Sequence, residues 1–322
     1  MQFQIGNATE INWGLGSLTT GRLGNLSPSV LMGIKNLLVR ARTVVEGALV
    51  GEHISPFRGG AIEFAQHRSY SPGDELRYVD WRLFARTDHY HVKQFEVTTN
   101  LRAYLVLDGS GSMGYTGQGN ISKFQYASIL ASALAYVLIQ QSDAVSLTTN
   151  KGADITFLPP RSQIAYLQQV LRIIDRCQPN GNHDILDLLR FAQDRINHRS
   201  LVVLFSDFLV DLEALVPKIK ILQSHGHDLM VFQVLHPDEL DFPFNRFYRF
   251  ESMEDQQFLI ADSKLIKTQY LEALREHQEK LTTTMRKIGV DFQMVRLDQD
   301  PGRVLSFCLN GPMRAKKLRK MY

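Results

Sequence analysis

Two short polar segments of this chain could do chemistry together. Asp108-Gly109-Ser110-Gly111-Ser112 follows the apolar run 103–107, and Ser206-Asp207 follows the apolar run 201–205. Two carboxylates and two hydroxyls brought to one point form a hard-oxygen donor set. Such a set suits Mg²⁺, which prefers oxygen ligands and keeps several of its waters. Gly109 and Gly111 let the backbone turn tightly enough to aim both hydroxyls the same way. With few charged protein ligands the ion stays electrophilic and can accept a carboxylate from another molecule. Each segment also has a plainer reading. A Gly-Ser-Gly-Ser loop is a common turn, and an aspartate at a strand end is often only a helix cap. The pairing of the two, each after an apolar strand, points to the metal.

Other chemistries fit the same residues less well. Ser112 follows a strand, precedes a helix and has Gly114 two residues on, which suits a hydrolase nucleophile. A triad Ser112, Asp207 and His225 or His236 can be drawn. Ser110 stands where a nucleophile elbow wants its first glycine, however, and an elbow has no need of Asp108. A phosphoryl-transfer enzyme with Asp108 as nucleophile would want a second nearby aspartate, which Gly109-Ser110 does not supply. A Gly-x-x-x-x-Gly-Lys-Ser/Thr loop is absent, so ATP binding by a P-loop is not expected. His89 and His91, or His225 and His227, could share a strand face as zinc ligands, but no third ligand stands at supporting spacing, and solvated loop histidines are the plainer reading. Cys177 and Cys308 are far apart and read as buried free thiols.

The elements that must position these groups alternate in kind. Residues 103–107 read as a strand. Ser122 and Gln125 form a capping box before Ala127, Leu130, Leu134, Val137 and Leu138, which line one helix face. Strands follow at 144–148 and 155–158, joined by a turn at Asn150-Lys151-Gly152, and helices at 163–176 and 184–197. Residues 201–205 give the strongest buried-strand signal. A helix at 212–224, a strand at 229–235, a long helix at 263–288 closed by Gly289 and a last strand at 290–297 complete the series. The pattern predicts an α/β fold: a Rossmann-like, doubly wound, mostly parallel sheet with helices on both faces. The strand at 155–158 is an antiparallel edge, because a tight turn precedes it. In such sheets ligands sit beyond the carboxyl ends of the strands, where both polar segments fall.

Around this core the chain divides into a Gly/Asn/Ser/Thr-rich tail (1–27), an N-terminal mixed helix and strand extension (28–99) that opens with a helix at 28–48, the main domain (100–300) and a basic C-terminal tail (301–322). The 322 residues can bury a sizeable core, and the 44 % hydrophobic and 21 % charged content is ordinary for a globular protein. A net charge of +3 is too small to argue for nucleic acid. Arg314, Lys316, Lys317, Arg319 and Lys320 read as a solvated run, with peripheral contact to an acidic membrane as the sharper alternative. With neither a secretory start nor an apolar stretch near the ~18–20 residues of a membrane span, a cytoplasmic protein is expected.

Two family resemblances follow. Asp108-x-Ser110-x-Ser112 with the later Asp207 resembles the metal-ion-dependent adhesion site of von Willebrand factor A domains. In that family a threonine from a second loop completes the site. Its position falls in Gly181-Asn182-His183-Asp184-Ile185, where the family usually reads Gly-Gly-Thr-x-Leu, so His183 replaces the threonine. Histidine is a softer ligand and a poorer Mg²⁺ partner. Asp184 either supplies an oxygen instead or caps the next helix. Arg68-x-Tyr70-x-x-Gly73-Asp74-x-x-Arg77-x-Val79-Asp80-Trp81, followed by Ala85-Arg86 and preceded by Gly51-x-His53-x-Ser55 and Glu63-Phe64, is similar to the signature of the bacterial "domain of unknown function 58" family. That resemblance implies a segment placed just before a von Willebrand factor A-like domain. It also implies a non-enzymatic role beside a MoxR-type AAA+ ATPase, acting on a client protein rather than a small-molecule substrate. The signature itself reads either as a structural clamp, with its arginines paired to Asp74, Asp80 and Glu63 and with Tyr70, Tyr78, Trp81 and Phe84 packed on the sheet, or as a docking surface. A metal-free interaction domain is the remaining alternative, made credible by His183.

Overall fold

The computed structural model describes residues 8–10, 37, 39–45, 61–69, 79–98, 101–117, 121–151, 154–180, 184–253 and 257–310. In chain order these give β1 (Ala8–Glu10), a helical stretch at 39–45 (α1), β2 (Ala61–Ser69), α2 (Trp81–Thr87), β3 (His91–Thr98), β4 (Arg102–Leu107), α3 (Lys123–Gln140), β5 (Ala144–Lys151), β6 (Asp154–Arg161), α4 (Ile164–Arg176), α5 (Ile185–Gln193), β7 (Leu201–Ser206), α6 (Leu212–Ser224), β8 (Asp228–Leu235), α7 (Pro237–Asp241), β9 (Phe247–Glu251), β10 (Phe258–Asp262), α8 (Ser263–Lys287), β11 (Asp291–Arg296) and α9 (Pro301–Asn310).

Six strands form the main sheet in the order β11-β8-β7-β4-β5-β6. All pair in parallel except β6, which pairs antiparallel to β5 as an edge strand. β4 and β7 sit side by side in the middle, with Leu107 opposite Phe205. Their continuous apolar runs follow from that place, since a central parallel strand is covered on both faces. Alternate side chains serve two cores. Leu105, Leu107, Val203 and Phe205 pack with α3, α4 and α9, while Tyr104, Val106, Val202 and Leu204 pack with α5, α6 and α8. The α/β architecture, the mostly parallel sheet and the antiparallel edge agree with the sequence reading.

Local signals account for the helix starts. Ser122 caps α3 with a reciprocal capping box to Gln125; Asp184, Asp211 and Asp262 cap α5, α6 and α8 through their carboxylates. Gly289, at φ +71°, turns the chain from α8 into β11.

Two smaller sheets flank the core: β1-β9-β10, and the β2-β3 hairpin with an irregularity between Phe64 and Gln66. The segment 236–262, which carries α7, β9 and β10, gave no clear periodic signal. The sequence reading also drew a tail from residue 301. Instead α9 packs Val304, Leu305, Cys308 and Leu309 into the core beside α3, since its apolar residues recur at helical spacing; residues 311–322 lie outside the described residues. Of the helix expected over 28–48, residues 37 and 39–45 are described and helical, with Leu37, Ala41 and Val45 buried.

Candidate functional site

The turn after β4 runs into a short 3-10 segment, Gly111–Gly114, that buries Ser112 and Met113. Asp108 receives the Ser110 amide on Oδ1 (2.9 Å) and the Ser206 hydroxyl on Oδ2 (2.5 Å). Ser206 is the last residue of β7, so this one bond ties the ends of the two central strands together. The Ser110 and Ser112 hydroxyls lie 3.3 Å apart, and the Ser112 hydroxyl helps to hold the nearby Asp207 carboxylate ionised. Asp108, Ser110, Ser112 and Asp207 are each 2–3 % exposed. The structure therefore gathers four of the six expected site residues into one buried oxygen cluster.

The other two stand differently. The Asp184 Oδ1 accepts the amides of Leu186 (2.9 Å) and Asp187 (3.1 Å), so this carboxylate caps α5, the plainer of its two readings. His183 lies outside the described residues.

A group that the sequence reading missed completes the cluster's electrostatics. Lys123, the first residue of α3, is fully buried and donates to Asp207 Oδ2 (2.8 Å) and Glu239 Oε1 (2.6 Å). Glu239 accepts the His236 amide on its other oxygen (2.7 Å), within the capping box of α7. Burial alone would strip the proton from Lys123, but the two carboxylates outweigh it and hold the ammonium charged. Burial likewise works against ionised Asp207, yet Lys123 and the hydroxyl and amide donors pull its carboxyl below the usual range. Burial raises the Glu239 carboxyl, with Lys123 opposing. Among the described residues, the donors to Asp108 are neutral. Burial, and then the nearby Asp207 charge, push its carboxyl up to about 7. Lys123 reads in sequence as a surface lysine at a helix start. The signal that points to Glu239 is the His236-Pro237-x-Glu239 helix-start pattern.

The loop beyond the turn is clamped to the same region. The Tyr115 hydroxyl donates to Asp238 (3.0 Å), and His236 bonds the Thr116 backbone and accepts the Asp238 amide on Nδ1 (3.0 Å). Burial holds His236 below its usual range, which keeps the ring neutral. Gly117, at φ +53°, passes so close to Asp238 and His236 that a Cβ there would collide with both. A cleft of about 490 Å³ opens beside the turn, lined by Arg40, Gly114, Thr116, Gln125, Asp175 and Pro179 among others.

The hydrolase triad is not assembled. Asp207 is engaged by Lys123, and His236 is tied to Thr116 and the Asp238 amide. His225 caps the C-terminal end of α6, just before the N-terminal end of β8 and so at the opposite end of the parallel strands from the cluster. The His225 and His227 rings meet edge to face at 6.2 Å, and among the described residues no group of three or more His, Cys, Asp or Glu could hold a metal, so neither histidine pair builds a zinc site there. Cys177 and Cys308 are buried free thiols, as expected. Within the upstream signature, Asp80 caps α2 through the Leu83 amide (3.1 Å). Trp81 is 57 % exposed and meets Phe84 and Tyr90 edge-on rather than packing under the sheet. Tyr70, Asp74 and Tyr78 lie outside the described residues.

Comparison with known proteins places this arrangement among relatives of unassigned role. Uncharacterized proteins of Mycobacterium tuberculosis and Mycobacterium bovis are 25 % identical over 280 residues, covering 85 % of this chain and 86 % of theirs. Among solved structures, a conserved hypothetical protein BatB from Bacteroides thetaiotaomicron matches with a TM-score of 0.45 and 14 % identity, over 66 % of this chain and 99 % of that one. An aerotolerance-related membrane protein from Bacteroides fragilis matches at 0.44 and 15 %, over 67 % and 99 %. Among the described residues no helix is long and apolar enough to cross a membrane. The family model described as protein of unknown function DUF58 matches residues 66–280, two thirds of the chain and the whole of the buried cluster, and the chain belongs to that family.

Proposed function

We propose that this chain is a non-enzymatic protein-binding module of the von Willebrand factor A type. Asp108, Ser110, Ser112 and Asp207 hold a divalent cation, Mg²⁺ by donor chemistry, and an acidic group of a partner binds there. The observation that carries the reading is the convergence of the β4 and β7 ends, which brings two carboxylates and two hydroxyls into one buried all-oxygen cluster. The residues fit the ion: every donor is a hard oxygen, and Asp108 is a buried carboxylate held by the Ser110 amide and the Ser206 hydroxyl, both neutral. When bound, the ion supplies a positive centre for a partner carboxylate. The protein's own groups do the rest. Ser206 and the Ser110 amide orient Asp108, and Lys123 orients Asp207.

By the family resemblance, a MoxR-type AAA+ ATPase is the proposed partner, working with this chain on a client protein. The test is a pull-down of the tagged chain with Mg²⁺ and with chelator. The ATPase is expected to co-purify with Mg²⁺, to be lost with chelator and to be lost in Asp108→Ala. Capture indifferent to both changes would overturn the metal-bridged mechanism. A metal-free interaction module is the second reading, favoured by one observation: Lys123 already places a positive charge on Asp207. Metal titration separates the two, since that reading expects no binding of Mg²⁺ or Mn²⁺.

A further inference from the structure

We propose that this chain self-associates through the open edge of β10. A second copy adds its own β10 antiparallel to the first about a two-fold axis at Ile260, which joins two three-stranded sheets into one. The inference is independent of the metal reading.

β10 has β9 on one side and, among the described residues, no neighbouring strand on the other. The hairpin fixes which backbone groups face that open edge. The Ser252 amide bonds the Gln257 carbonyl at 2.9 Å, and the Ser263 amide bonds the Arg246 carbonyl at 3.1 Å. Hydrogen-bonded and non-bonded pairs alternate along an antiparallel ladder. Between those two pairs, Leu259 and Ala261 therefore bond β9, whereas Phe258 and Ile260 turn their N–H and C=O away from it. The burial agrees: no residue of β10 is fully covered, and Phe258 and Ile260 are 57 % and 56 % exposed. An open edge of this kind pairs with another chain unless it is guarded. The other edge of the sheet, β1, is only three residues long, and the edge strand β6 carries Pro159 and Pro160. β10 has no proline, no basic residue and no irregularity in its register, and its one acid, Asp262, caps α8.

A second copy matches this edge in shape and in charge. With the two-fold at Ile260, that residue meets its own image as a hydrogen-bonded pair, and Phe258 stands opposite Asp262 of the second copy. Phe258 and Ile260 from both copies then form one unbroken apolar strip across the axis. Arg249 lies over the Phe258 ring at 4.4 Å and bonds Glu251 at 3.0 Å. Asp262 of the second copy arrives beside that same ring, so the guanidinium is set between two acids, and no charge faces its own image.

The measurement is analytical sedimentation of the full chain in chelator. The contact is smaller than the standard ~800 Å² per partner, so a dimer constant on the order of 10–100 µM is expected. Ile260→Lys or Ile260→Glu sets two like charges at the axis and should weaken association about tenfold or more. Equal amounts of the two variants, mixed, are expected to restore the dimer, since opposite charges then meet. The side chain is exposed, so both variants should fold, as circular dichroism checks. Wild type that stays monomeric at about 500 µM would overturn the proposal. So would a dimer indifferent to both variants, or variants that stay monomeric when mixed. Should either variant misfold, Ile260→Cys carries the test. A hydrogen-bonded antiparallel pair sets its Cα atoms ~5.5 Å apart, within disulfide reach, so mild oxidation should link two chains. Wild type, whose Cys177 and Cys308 are buried, should not link, and an Ile260→Cys chain that also fails to link would defeat the register.

Discussion

Asp108 makes a prediction that needs no partner. In the metal-free fold its carboxyl is pushed up to about 7, because it is buried beside the Asp207 charge, whereas the unfolded chain returns it to the ordinary value of 3.8. For an acid raised in this way, the folded state holds its proton over a range where the unfolded state has released it. Stability is therefore highest below the unfolded value and falls as pH rises from about 4 to about 7. The gap of roughly three pH units, at about 1.4 kcal/mol each, sets a ceiling of ~4 kcal/mol on the loss. Asp108→Asn cannot ionise and escapes that loss, at the cost of re-forming the hydrogen bonds to Ser206 and the Ser110 amide, about 1 kcal/mol. Urea unfolding in chelator, compared between wild type and Asp108→Asn at pH 5, 6, 7 and 8, isolates the group, because other titrations are common to both chains. The variant is expected to gain on wild type by roughly 2–3 kcal/mol between pH 5 and 8 and to level off above it. With Mg²⁺ at about 100 times its Kd, wild type alone should recover ~2.7 kcal/mol, narrowing or reversing the order. A difference between the two proteins that stays flat with pH, or a variant that is the less stable at pH 8 in chelator, would refute the electrostatic account of the site.

Other perturbations follow from the same contacts. Lys123→Met alone leaves Asp207 and Glu239 facing each other in the core and should cost about 3–5 kcal/mol in urea unfolding. Gly117→Ala forces a side chain into a left-handed backbone against Asp238 and His236; a loss of about 1–3 kcal/mol is expected, read from the thermal midpoint. Leu105→Ala empties the centre of the sheet on the α3 side and should cost about 2–5 kcal/mol by chemical denaturation. Ser122→Ala removes the α3 capping box and should cost ~1 kcal/mol, leaving the pH dependence at Asp108 untouched.

What could be read from sequence was whatever a period or a spacing encodes. β4 and β7 announced themselves because a central parallel strand is apolar on both faces. Their polar ends announced the site because Asp108 and Asp207 interrupt those runs at the position where α/β sheets bind ligands. β6 was legible as an antiparallel edge from its short turn after β5. The charge balance of the site was not legible. Lys123 and Glu239 lie 84 and 32 residues from Asp207, and only the packed fold makes them its neighbours. A lysine at the start of a helix reads as solvated, since full burial of an ammonium is tolerable only with partners that the sequence does not reveal. The strand β10 was missed for a related reason: its inward Leu259 stands between outward Phe258 and Ile260, so that both faces are apolar there and no binary pattern remains.

The internal lysine also bears on how a site of this kind can serve a binding partner. A cluster with two unshielded carboxylates would hold a divalent cation tightly and leave it little residual charge. A cluster with one would hold it weakly and depend on the partner's acid to complete the binding. On the proposed metal reading, Lys123 would move the site toward the second condition by engaging Asp207, while Glu239 offsets the ammonium's charge. On that reading, affinity for the cation and affinity for an acidic partner would rise together, since linkage requires any partner that tightens the metal to be tightened by it in equal measure. An acidic partner whose binding is indifferent to Mg²⁺ would contradict this coupling.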